Sequence, residues 1–316
     1  SDLTVSTWNA SIRDIMYRPY DIRKIVYNKS IVSSMRNPVM KEIDGNNLIL
    51  LTCRYQISPG FDHIFVTNQL FDCCSVSNRS RENTNGFPLY VKNLSGEVIS
   101  NISKEYGSFI KPDSDTTTDG LFYFIYAQLH SRLYRNRYVE NLQRGYPHVF
   151  IPLDEKLYFE LSNIGKKLVE CHLLNDKSPI LTTRIGKLNS PIEKVTFSDN
   201  IIWIDKEMKN GFGNISDDIW NTKVGSYQVV KKWLKDRESK GGKSPKKGRI
   251  LSTEDINRFE RMLNSINSTL IYSKEVDNII NKFGGWEKAF DLSEEMQQLS
   301  DKVGNDNLHP NQTKLF

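Results

Sequence analysis

The sequence predicts an α+β fold, in which short strands form a mixed sheet with packed helices and a helical segment follows at the C-terminus. Short β-rich runs bounded by turn formers dominate the N-terminal third, whereas helical spacing of apolar residues dominates later segments. Of the 316 residues, 38% are hydrophobic, including 15 Phe and 14 Tyr, which is enough for a packed core. A chain of this length can form two domains, or one large domain with an appendage.

The N-terminal part of the chain carries the strand signals. Pro19 breaks any helix there, and the alternating run from Ile22 to Tyr27 follows it. Three further β-rich runs are Asn47–Tyr55, His63–Phe71 and Phe87–Asn93. These runs predict the sheet of the fold.

The middle of the chain carries helical patterns. Asp119 has the position of an N-cap for a helix that starts at Gly120. A second amphipathic helix is predicted from Glu155 to about Leu174. Two strand-like runs follow it, Lys194–Phe197 and Asn200–Asp205.

A change in composition divides the chain. We predict an α+β domain over residues 1–225, a basic loop and a long helix over residues 226–285, and a flexible tail over residues 286–316. Ser252 and Asp255 form a capping box for the long helix, which should end near Phe283 because Gly284 follows. Its apolar seam suits another helix, in this chain or in an upstream domain. The seam consists of Ile256, Phe259, Leu263, Ile266 and Leu270.

Charge, cysteine content and hydropathy limit the function classes. The net charge of +5, from 43 basic and 38 acidic residues, is too small to establish a polyanionic partner. The cysteines lack zinc-site spacing, and the adjacent Cys73 and Cys74 are interpreted as buried thiols in a reducing compartment. No apolar run has the roughly 18 residues that a membrane span needs, and no signal peptide is present. A soluble, cytoplasmic protein is expected, and the missing initiator Met indicates a fragment of a longer chain.

Active-site motifs are largely missing from the sequence. A phosphate-binding P-loop, a serine-hydrolase elbow and the loops of an amino-methyltransferase are not found, and the scattered histidines are not expected to be catalytic. Asp205, Glu207 and Lys209 could hold Mg²⁺ and polarise a water, as in metal-dependent nucleases. The alternative, a strand that ends in solvent with mixed charges, is favoured because acid-x-Lys triplets are common.

The segment from Phe122 to Phe150 is apolar up to Ser131 and then alternates arginine with tyrosine. On a helix the tyrosines can pack on the protein body while the guanidinium groups point outward. Guanidinium groups suit phosphates and the paired acceptors of guanine. The alternative is that these arginines pair with internal carboxylates such as Glu140 and Asp119.

Two other segments concentrate positive charge. The polar loop Ser77–Gly86 carries Arg79 and Arg81. The segment from Lys231 to Arg249 contains nine basic residues and only two acidic residues, Asp236 and Glu238. This excess of positive charge suits contact with backbone phosphates. The alternative for this second cluster is an ordinary solvated loop.

Seven motifs occur along the chain in a recognisable order: YRPYDIRKIVYN (17–28), HIFVT (63–67), FPLY (87–90), YFIYAQLHSRLYRNRYVENL (123–142), YPHVFIP (146–152), VGSYQVVKKWLKDR (224–237) and LSTEDI (251–256). Their order resembles one protein family, the C-terminal specificity region of the Type ISP restriction–modification enzymes. Those enzymes join a nuclease, an ATP-driven DNA translocase, an adenine N6-methyltransferase and a target-recognition domain in one polypeptide. The resemblance covers roughly Met16 to Asp277, and the sequence departs from the family at Tyr20, usually Phe, and at Arg132, usually Pro.

The resemblance implies a module that recognises a short duplex sequence and holds it for an upstream methyltransferase, which must extrude its target base. Such a module is expected to catalyse nothing and to need no cofactor, with S-adenosylmethionine, ATP and Mg²⁺ bound upstream. The expected partners are double-stranded DNA and the methyltransferase and helicase-like domains of the same polypeptide. The alternatives are the nuclease and a structural coupler that never meets DNA. The predicted DNA contacts are Arg18, Arg23, Arg79, Arg81, Arg132, Arg135, Arg137, Lys231, Lys232, Lys235 and Arg237.

Overall fold

The computed structural model describes residues 4–43, 45–103, 106, 117–241 and 245–293. Within these residues, helices are combined with small sheets, which confirms the predicted α+β class. The strands are divided among several small sheets rather than joined in one mixed sheet, because loops and turns interrupt each run after a few residues.

The strands of the described residues are β1 (Ile12–Arg18), β2 (Asp21–Val26), β3 (Ile49–Cys53), β4 (Phe65–Thr67), β5 (Leu70–Phe71), β6 (Thr84–Pro88), β7 (Tyr90–Lys92), β8 (Val98–Ser100), β9 (Thr183–Ile185), β10 (Thr196–Ser198), β11 (Ile201–Trp203), β12 (Gly211–Gly213), β13 (Lys223–Val224) and β14 (Tyr227–Gln228). The helices of the same residues are α1 (Val5–Ala10), α2 (Asn37–Met40), α3 (Thr118–His130), α4 (Arg132–Arg137), α5 (Val139–Leu142), α6 (Glu155–His172), α7 (Asp217–Asn221), α8 (Val229–Lys235), α9 (Thr253–Lys282) and α10 (Trp286–Ala289). The sheets have the orders β2-β1-β5, β4-β3-β6, β7-β8, β10-β11-β12-β9 and β13-β14.

Strand β3 lies between two hydrophobic cores. It pairs antiparallel with β4 and β6, and every residue in it is buried. Because side chains alternate along a strand, Leu50 packs into the first core while Ile49 and Leu51 pack into the second. β4 repeats the pattern, with Val66 in the first core and Phe65 in the second. One short sheet therefore separates the two cores.

The first core is built on the pair of helices α3 and α6. Gly165 of α6 allows their backbones to approach closely, since a Cβ there would lie 1.8 Å from the carbonyl oxygen of Tyr123. The predicted N-cap of α3 is wrong: the Thr117 hydroxyl accepts from the Gly120 N–H at 3.0 Å, and Asp119 lies in the first turn. α6 begins at Glu155 as predicted but ends before Leu174, which adopts a left-handed φ of 60°.

Helix α9 spans both cores. Its capping box at Ser252 and Asp255 is confirmed, and it ends just before Gly284, whose φ is 92°. Phe259 and Leu263 pack into the second core, whereas Ile280 packs into the first. The apolar seam of the long helix is thus covered by this chain, which was one of its two predicted locations. Because the seam packs within this chain, it is no longer evidence for a structural coupler that packs on another domain.

The predicted segment boundaries differ from the observed packing. The boundary at residue 225 falls within the hairpin formed by β13 and β14. The flexible tail was placed too early, because Trp286 and Phe290 are buried in the first core. Their apolar burial orders the chain beyond the glycines. The rest of the predicted tail, residues 294–316, lies outside the described residues.

The cysteines are thiols, but the adjacent pair is not fully buried. Cys53 and Cys171 are buried, whereas Cys73 and Cys74 are half-buried in the turn after β5. The interpretation of that pair as buried is therefore wrong. Among the helices that the structure describes, none combines the length and the apolar character needed to cross a bilayer.

Candidate nucleic-acid interface

The arginine–tyrosine segment changes character at a helix junction. Ser131 is extended, ends α3 and caps α4, where its hydroxyl accepts from the Tyr134 N–H at 3.1 Å. The same hydroxyl donates to the carboxylate of Asp277 on α9 at 2.6 Å, and that carboxylate also accepts from the Arg132 N–H at 3.2 Å. A carboxylate at a helix N-terminus satisfies free N–H groups and is favoured by the helix dipole. Asp277 therefore holds the junction.

The tyrosines of this segment pack on the protein body, as predicted. Tyr134 is buried, and its hydroxyl donates to the carbonyl of His148 at 2.7 Å. The Tyr138 ring stacks on Phe150 with centroids 5.0 Å apart, and its hydroxyl accepts from the Trp286 indole N–H at 3.1 Å. Aromatic packing thus anchors α4 to the first core.

The three arginines of α4 have different environments. Arg132 is exposed, and its guanidinium has no ion pair among the described residues. Arg135 points inward, where Nε donates to the Leu129 carbonyl at 2.8 Å and Nη1 lies 3.3 Å from Asp62. Arg137 is partly exposed and pairs with Glu287 at 3.1 Å. Arg135 and Arg137 therefore follow the alternative of pairing with carboxylates of the same chain, although with Asp62 and Glu287 and not with Glu140 or Asp119.

The buried carboxylate of Asp21 holds two other predicted arginines, and a third, Arg18, lies beside a different acid. Arg23 donates to Asp21 through Nε at 3.1 Å and Nη2 at 2.7 Å, and Arg237 reaches the same carboxylate at 2.7 Å. Arg18 lies 3.9 Å over the Tyr17 ring and 3.4 Å from Asp72. The side chain of Arg237 is only 8% exposed. It can reach DNA only if its pair with Asp21 opens.

The predicted lysines also divide into paired and free groups. Lys232 pairs with Asp236 at 2.5 Å, and Lys235 pairs with Glu238 at 2.8 Å. Lys231 is exposed and has no ion pair within the described part of the chain. Both acids noted in this basic segment are therefore used by neighbouring lysines. Part of the loop that follows, residues 242–244, lies outside the described residues.

Arg79 and Arg81 are exposed on a loop that the buried side chain of Glu82 holds in place through hydrogen bonds. The Glu82 side chain is fully buried and accepts from the N–H groups of Ile57 at 2.6 Å and Ser58 at 2.7 Å. It also accepts from the Ser77 hydroxyl at 2.5 Å and contacts the Nε2 of His63 at 3.0 Å. One carboxylate therefore ties the loop of residues 77–82 to the loop of residues 54–59.

These contacts determine the charge of the buried network. Burial alone would raise the pKa of Glu82, but hydrogen bonds, the one from Ser77 foremost, lower the pKa to about 2. Burial lowers the pKa of His63 despite its contact with Glu82. We infer that Glu82 is ionised and that neutral His63 donates to it through Nε2–H.

Sequence reasoning missed the second loop. Tyr55 is 49% exposed and Ile57 is 58% exposed, and the guanidinium of Arg54 lies 5.3 Å from the centre of the Tyr55 ring. The only signal in the sequence was a polar end to the predicted strand Asn47–Tyr55. We name as the loop surface the exposed residues that Glu82 brings together, which are Arg54, Tyr55, Ile57, Arg79 and Arg81. The three arginines of this surface have no acidic partner among the residues that the structure describes.

The β13–β14 hairpin supports the loop surface from a third side. The Gly225 N–H donates to the Asp62 carbonyl at 2.7 Å, and Ser226 and Asn78 exchange hydrogen bonds of 3.2 Å. Gly225 has a φ of 56°, and a Cβ there would lie 2.0 Å from the Val76 carbonyl oxygen. The loop surface therefore rests on rigid contacts to three segments.

The candidate nuclease residues do not form a metal site. Asp205 is 8% exposed and closes a turn, accepting from the Lys209 N–H at 3.0 Å and from Asn210 Nδ2 at 2.5 Å. Glu207 is exposed and pairs with the Lys209 ammonium at 2.6 Å. These carboxylates already have partners: Glu207 and Lys209 form the favoured mixed-charge end in solvent, whereas Asp205 is buried.

The chain was compared with known proteins. A family profile described as the Type ISP C-terminal specificity domain matches residues 2–269. Among curated protein sequences, none matches this chain. Ten chains among the solved structures match its fold, and three of them, at 17% to 18% sequence identity, are described below.

The first structure is the ATP-dependent Type ISP restriction-modification enzyme LlaBIII bound to DNA, at 18% identity and a TM-score of 0.62, covering 93% of this chain and 20% of that chain. The second is a nuclease-deletion mutant of the Type ISP restriction-modification enzyme LlaGI in complex with a DNA substrate mimic, at 17% identity and a TM-score of 0.63. The match covers 93% of this chain and 26% of that chain. The third is a DrdV–DNA complex, at 17% identity and a TM-score of 0.67, and the match covers 86% of this chain and 28% of that chain. This chain thus spans at most 28% of any of these three. From the profile match over most of its length, the chain belongs to the Type ISP C-terminal specificity domain family.

Proposed function

We propose that this chain binds double-stranded DNA in a sequence-specific manner, as the specificity module of a single-chain restriction–modification enzyme. The loop surface carries this proposal. It presents three exposed guanidinium groups, none with an acidic partner among the described residues, beside an exposed aromatic ring, on loops held by the buried Glu82.

The chemistry of the loop surface suits a duplex. A guanidinium can donate two parallel hydrogen bonds to a phosphate or to the O6 and N7 atoms of guanine. Tyr55 and Ile57 add apolar area that can pack against sugars or against the methyl group of thymine. Arg132 and Lys231 are further exposed cations, whereas Arg18, Arg23, Arg135 and Arg237 mainly hold the fold together.

Two findings support this function. The chain belongs to a family of specificity domains. The similar structures of LlaBIII, LlaGI and DrdV are described as complexes with DNA or with a DNA mimic.

In this proposal the chain binds DNA and catalyses nothing. Its partners are the duplex and the upstream methyltransferase and helicase-like domains of the same polypeptide, in the cytoplasm. S-Adenosylmethionine, ATP and Mg²⁺ bind in those other domains and not in this chain. The chain holds the duplex while the methyltransferase displaces its target base, a step that needs a firm grip on the flanking DNA.

The test replaces Arg54, Arg79 and Arg81 together with alanine. A duplex is first selected from a random-sequence pool by the unmutated chain, and its affinity is then measured by fluorescence anisotropy at several salt concentrations. Each lost phosphate contact should lower the salt slope by about 0.9, and each lost base contact should cost about 1–3 kcal/mol.

The matched control removes the same charge from exposed lysines outside the predicted set, by replacing Lys166, Lys187 and Lys206 with alanine. This variant should bind the selected duplex nearly as the unmutated chain does. If both triple variants keep the affinity and the salt slope of the unmutated chain, the loop surface does not meet DNA.

A further inference from the structure

A cleft lies beside the loop surface, at the junction of α3 and α4. Its volume is about 490 Å³, and its walls come from that junction, from residues 60–64, from the β13 region and from the middle of α9. Phe61, Ile64, Val224 and Ile266 provide apolar parts of the wall. A volume of this size is typical of sites for small organic ligands.

Two histidines line the cleft, and one of them has a free nitrogen. His172 uses both ring nitrogens, Nδ1 with the Tyr126 hydroxyl at 2.5 Å and Nε2 with the Thr269 hydroxyl at 3.1 Å. The His130 side chain is only 5% exposed, and its Nδ1 lies 2.9 Å from the carbonyl of Tyr126. Its Nε2 has no hydrogen-bond partner among the described residues, and it is not one of their fully buried polar atoms, so it is accessible from the cleft.

The protonation of His130 follows from its surroundings. A carbonyl oxygen can only accept, so Nδ1 carries a hydrogen and donates it. Burial, with Arg135 and His172 nearby, lowers the pKa of His130 well below its ordinary value. The ring is therefore neutral, and Nε2 offers a lone pair. A ligand that satisfies this nitrogen must bring a hydrogen-bond donor.

The charge that lines the cleft indicates the other end of the ligand. Arg135 is already used by the Leu129 carbonyl and by Asp62. Arg132 also lines the cleft, and its exposed guanidinium has no acidic partner within the described residues. A guanidinium of this kind suits a phosphate. The cleft therefore combines an anion-binding group, apolar walls and an acceptor nitrogen in its wall.

We propose that this cleft receives one nucleotide unit, with its phosphate at Arg132 and a base N–H group donating to His130 Nε2. A nucleotide carries an anion, a flat ring and a ring or exocyclic donor on one small molecule. Two sources present this chemistry: a free nucleotide, or a nucleotide displaced from the bound duplex. The second source rests on the proposed DNA-binding function, whereas the first does not.

The first experiment titrates the chain with the four deoxynucleoside monophosphates and, separately, with inorganic phosphate, followed by calorimetry and by the NMR signals of the His130 ring. His130→Leu should weaken nucleotide binding by about tenfold and leave phosphate binding unchanged, because only the acceptor is lost. His130→Gln, which keeps an acceptor oxygen, should recover part of the loss. Arg132→Ala should weaken both ligands, and Lys166→Ala, on α6, should change neither.

The second experiment tests the displaced nucleotide. The selected duplex is resynthesised with 2-aminopurine at each position in turn, and its fluorescence should rise at one position when that base leaves the stack. His130→Leu should reduce the rise at a protein concentration that saturates the duplex, as measured by anisotropy on the same samples.

The outcomes separate the two proposals. Duplex binding without nucleotide binding and without a fluorescence rise overturns the cleft proposal and leaves the DNA-binding proposal standing. Nucleotide binding that depends on His130, in a chain that binds no duplex, supports the cleft and overturns DNA recognition. A fluorescence rise that His130→Leu leaves unchanged, without free-nucleotide binding, places the displaced base elsewhere and also overturns the cleft.

Discussion

Replacing Glu82 with alanine should destabilise the protein and weaken DNA binding together. The carboxylate is fully buried and accepts hydrogen bonds from Ile57 N–H, Ser58 N–H and the Ser77 hydroxyl, besides its contact with His63. Its removal leaves these donors in the protein interior without an acceptor. The loops of residues 54–59 and 77–82 would then lose their common anchor.

The size of the expected loss of stability follows from the hydrogen bonds that Glu82 accepts. A buried donor without a partner costs about 1–3 kcal/mol, and relaxation or an entering water recovers part of the sum. Because His63 is neutral, removing Glu82 leaves no unpaired charge, and the cost is that of the lost hydrogen bonds to an ionised group, about 1.5–3 kcal/mol each. After relaxation we expect Glu82→Ala to lower the free energy of unfolding by about 3–5 kcal/mol. Glu82→Gln should cost less, because its amide oxygen can accept some of the same bonds.

The assay is urea unfolding followed by tryptophan fluorescence, with duplex affinity measured under native conditions. The network also predicts a pH dependence. Because the folded-state pKa of Glu82 is about 2, below the ordinary value of about 4.3, its stabilisation is present above that ordinary value. The stabilisation is lost as the pH falls toward 2. Glu82→Gln should lack this part of the acid sensitivity.

Glu207→Ala is the matched control, since Glu207 is exposed and pairs only with Lys209. It should leave stability within about 0.5 kcal/mol of the unmutated chain. Equal urea midpoints for Glu82→Ala and the unmutated chain would refute the role of Glu82 as an anchor. A large loss of stability with unchanged duplex affinity would show that the two loops do not meet DNA.

Three further predictions concern packing, capping and ion pairing. Gly165→Ala should lower the free energy of unfolding by about 1–3 kcal/mol or more, because its Cβ would lie 1.8 Å from the Tyr123 carbonyl oxygen; thermal denaturation measures this loss. Asp277→Ala should cost about 1 kcal/mol, because the N–H groups at the start of α4 lose their cap, and hydrogen exchange at Arg132 should accelerate. Arg237→Ala should cost about 3 kcal/mol in urea unfolding, because buried Asp21 loses a partner, while the salt slope of duplex binding stays unchanged.

The first two of these predictions have control substitutions in the chain. Gly145→Ala places its Cβ in open space and should be nearly neutral. Asp277→Asn keeps an acceptor for the Ser131 hydroxyl and should cost less than alanine. A lower salt slope for Arg237→Ala, at unchanged stability, would mean that Arg237 contacts phosphate and does not hold the fold.

Local patterns in the sequence were sufficient for the helices and for the strand-rich N-terminal part. The capping box at Ser252 and Asp255 predicted the start of α9, because a cap depends on residues three apart in the chain. The amphipathic spacing likewise predicted the start of α6 at Glu155, and the structure shows that the Asp154 side chain caps it. The N-cap of α3 was misplaced because Thr117 and Asp119 both carry side chains suited to capping, and only the backbone geometry distinguishes them.

The partners of the arginines could not be predicted in this way. Arg135 points to Asp62, and Arg237 to Asp21, across 73 and 216 residues of chain respectively. Glu82, for its part, accepts from a loop 24 to 25 residues earlier in the chain. The residues next to an arginine in the sequence do not show whether its guanidinium pairs with a distant carboxylate of the same chain or is free to bind a phosphate.

The amino-acid sequence alone determined the α+β class, the family and the positive, aromatic character of the chain, because periodicity, capping and motif order are properties of neighbouring residues. The tertiary structure decided which cations are free. Long-range packing around β3 and α9 buries some guanidinium groups against carboxylates and leaves Arg54, Arg79, Arg81, Arg132 and Lys231 exposed. Desolvation makes an unpaired buried charge costly, so the chain pairs the cations it buries, and only the exposed remainder can meet an external anion.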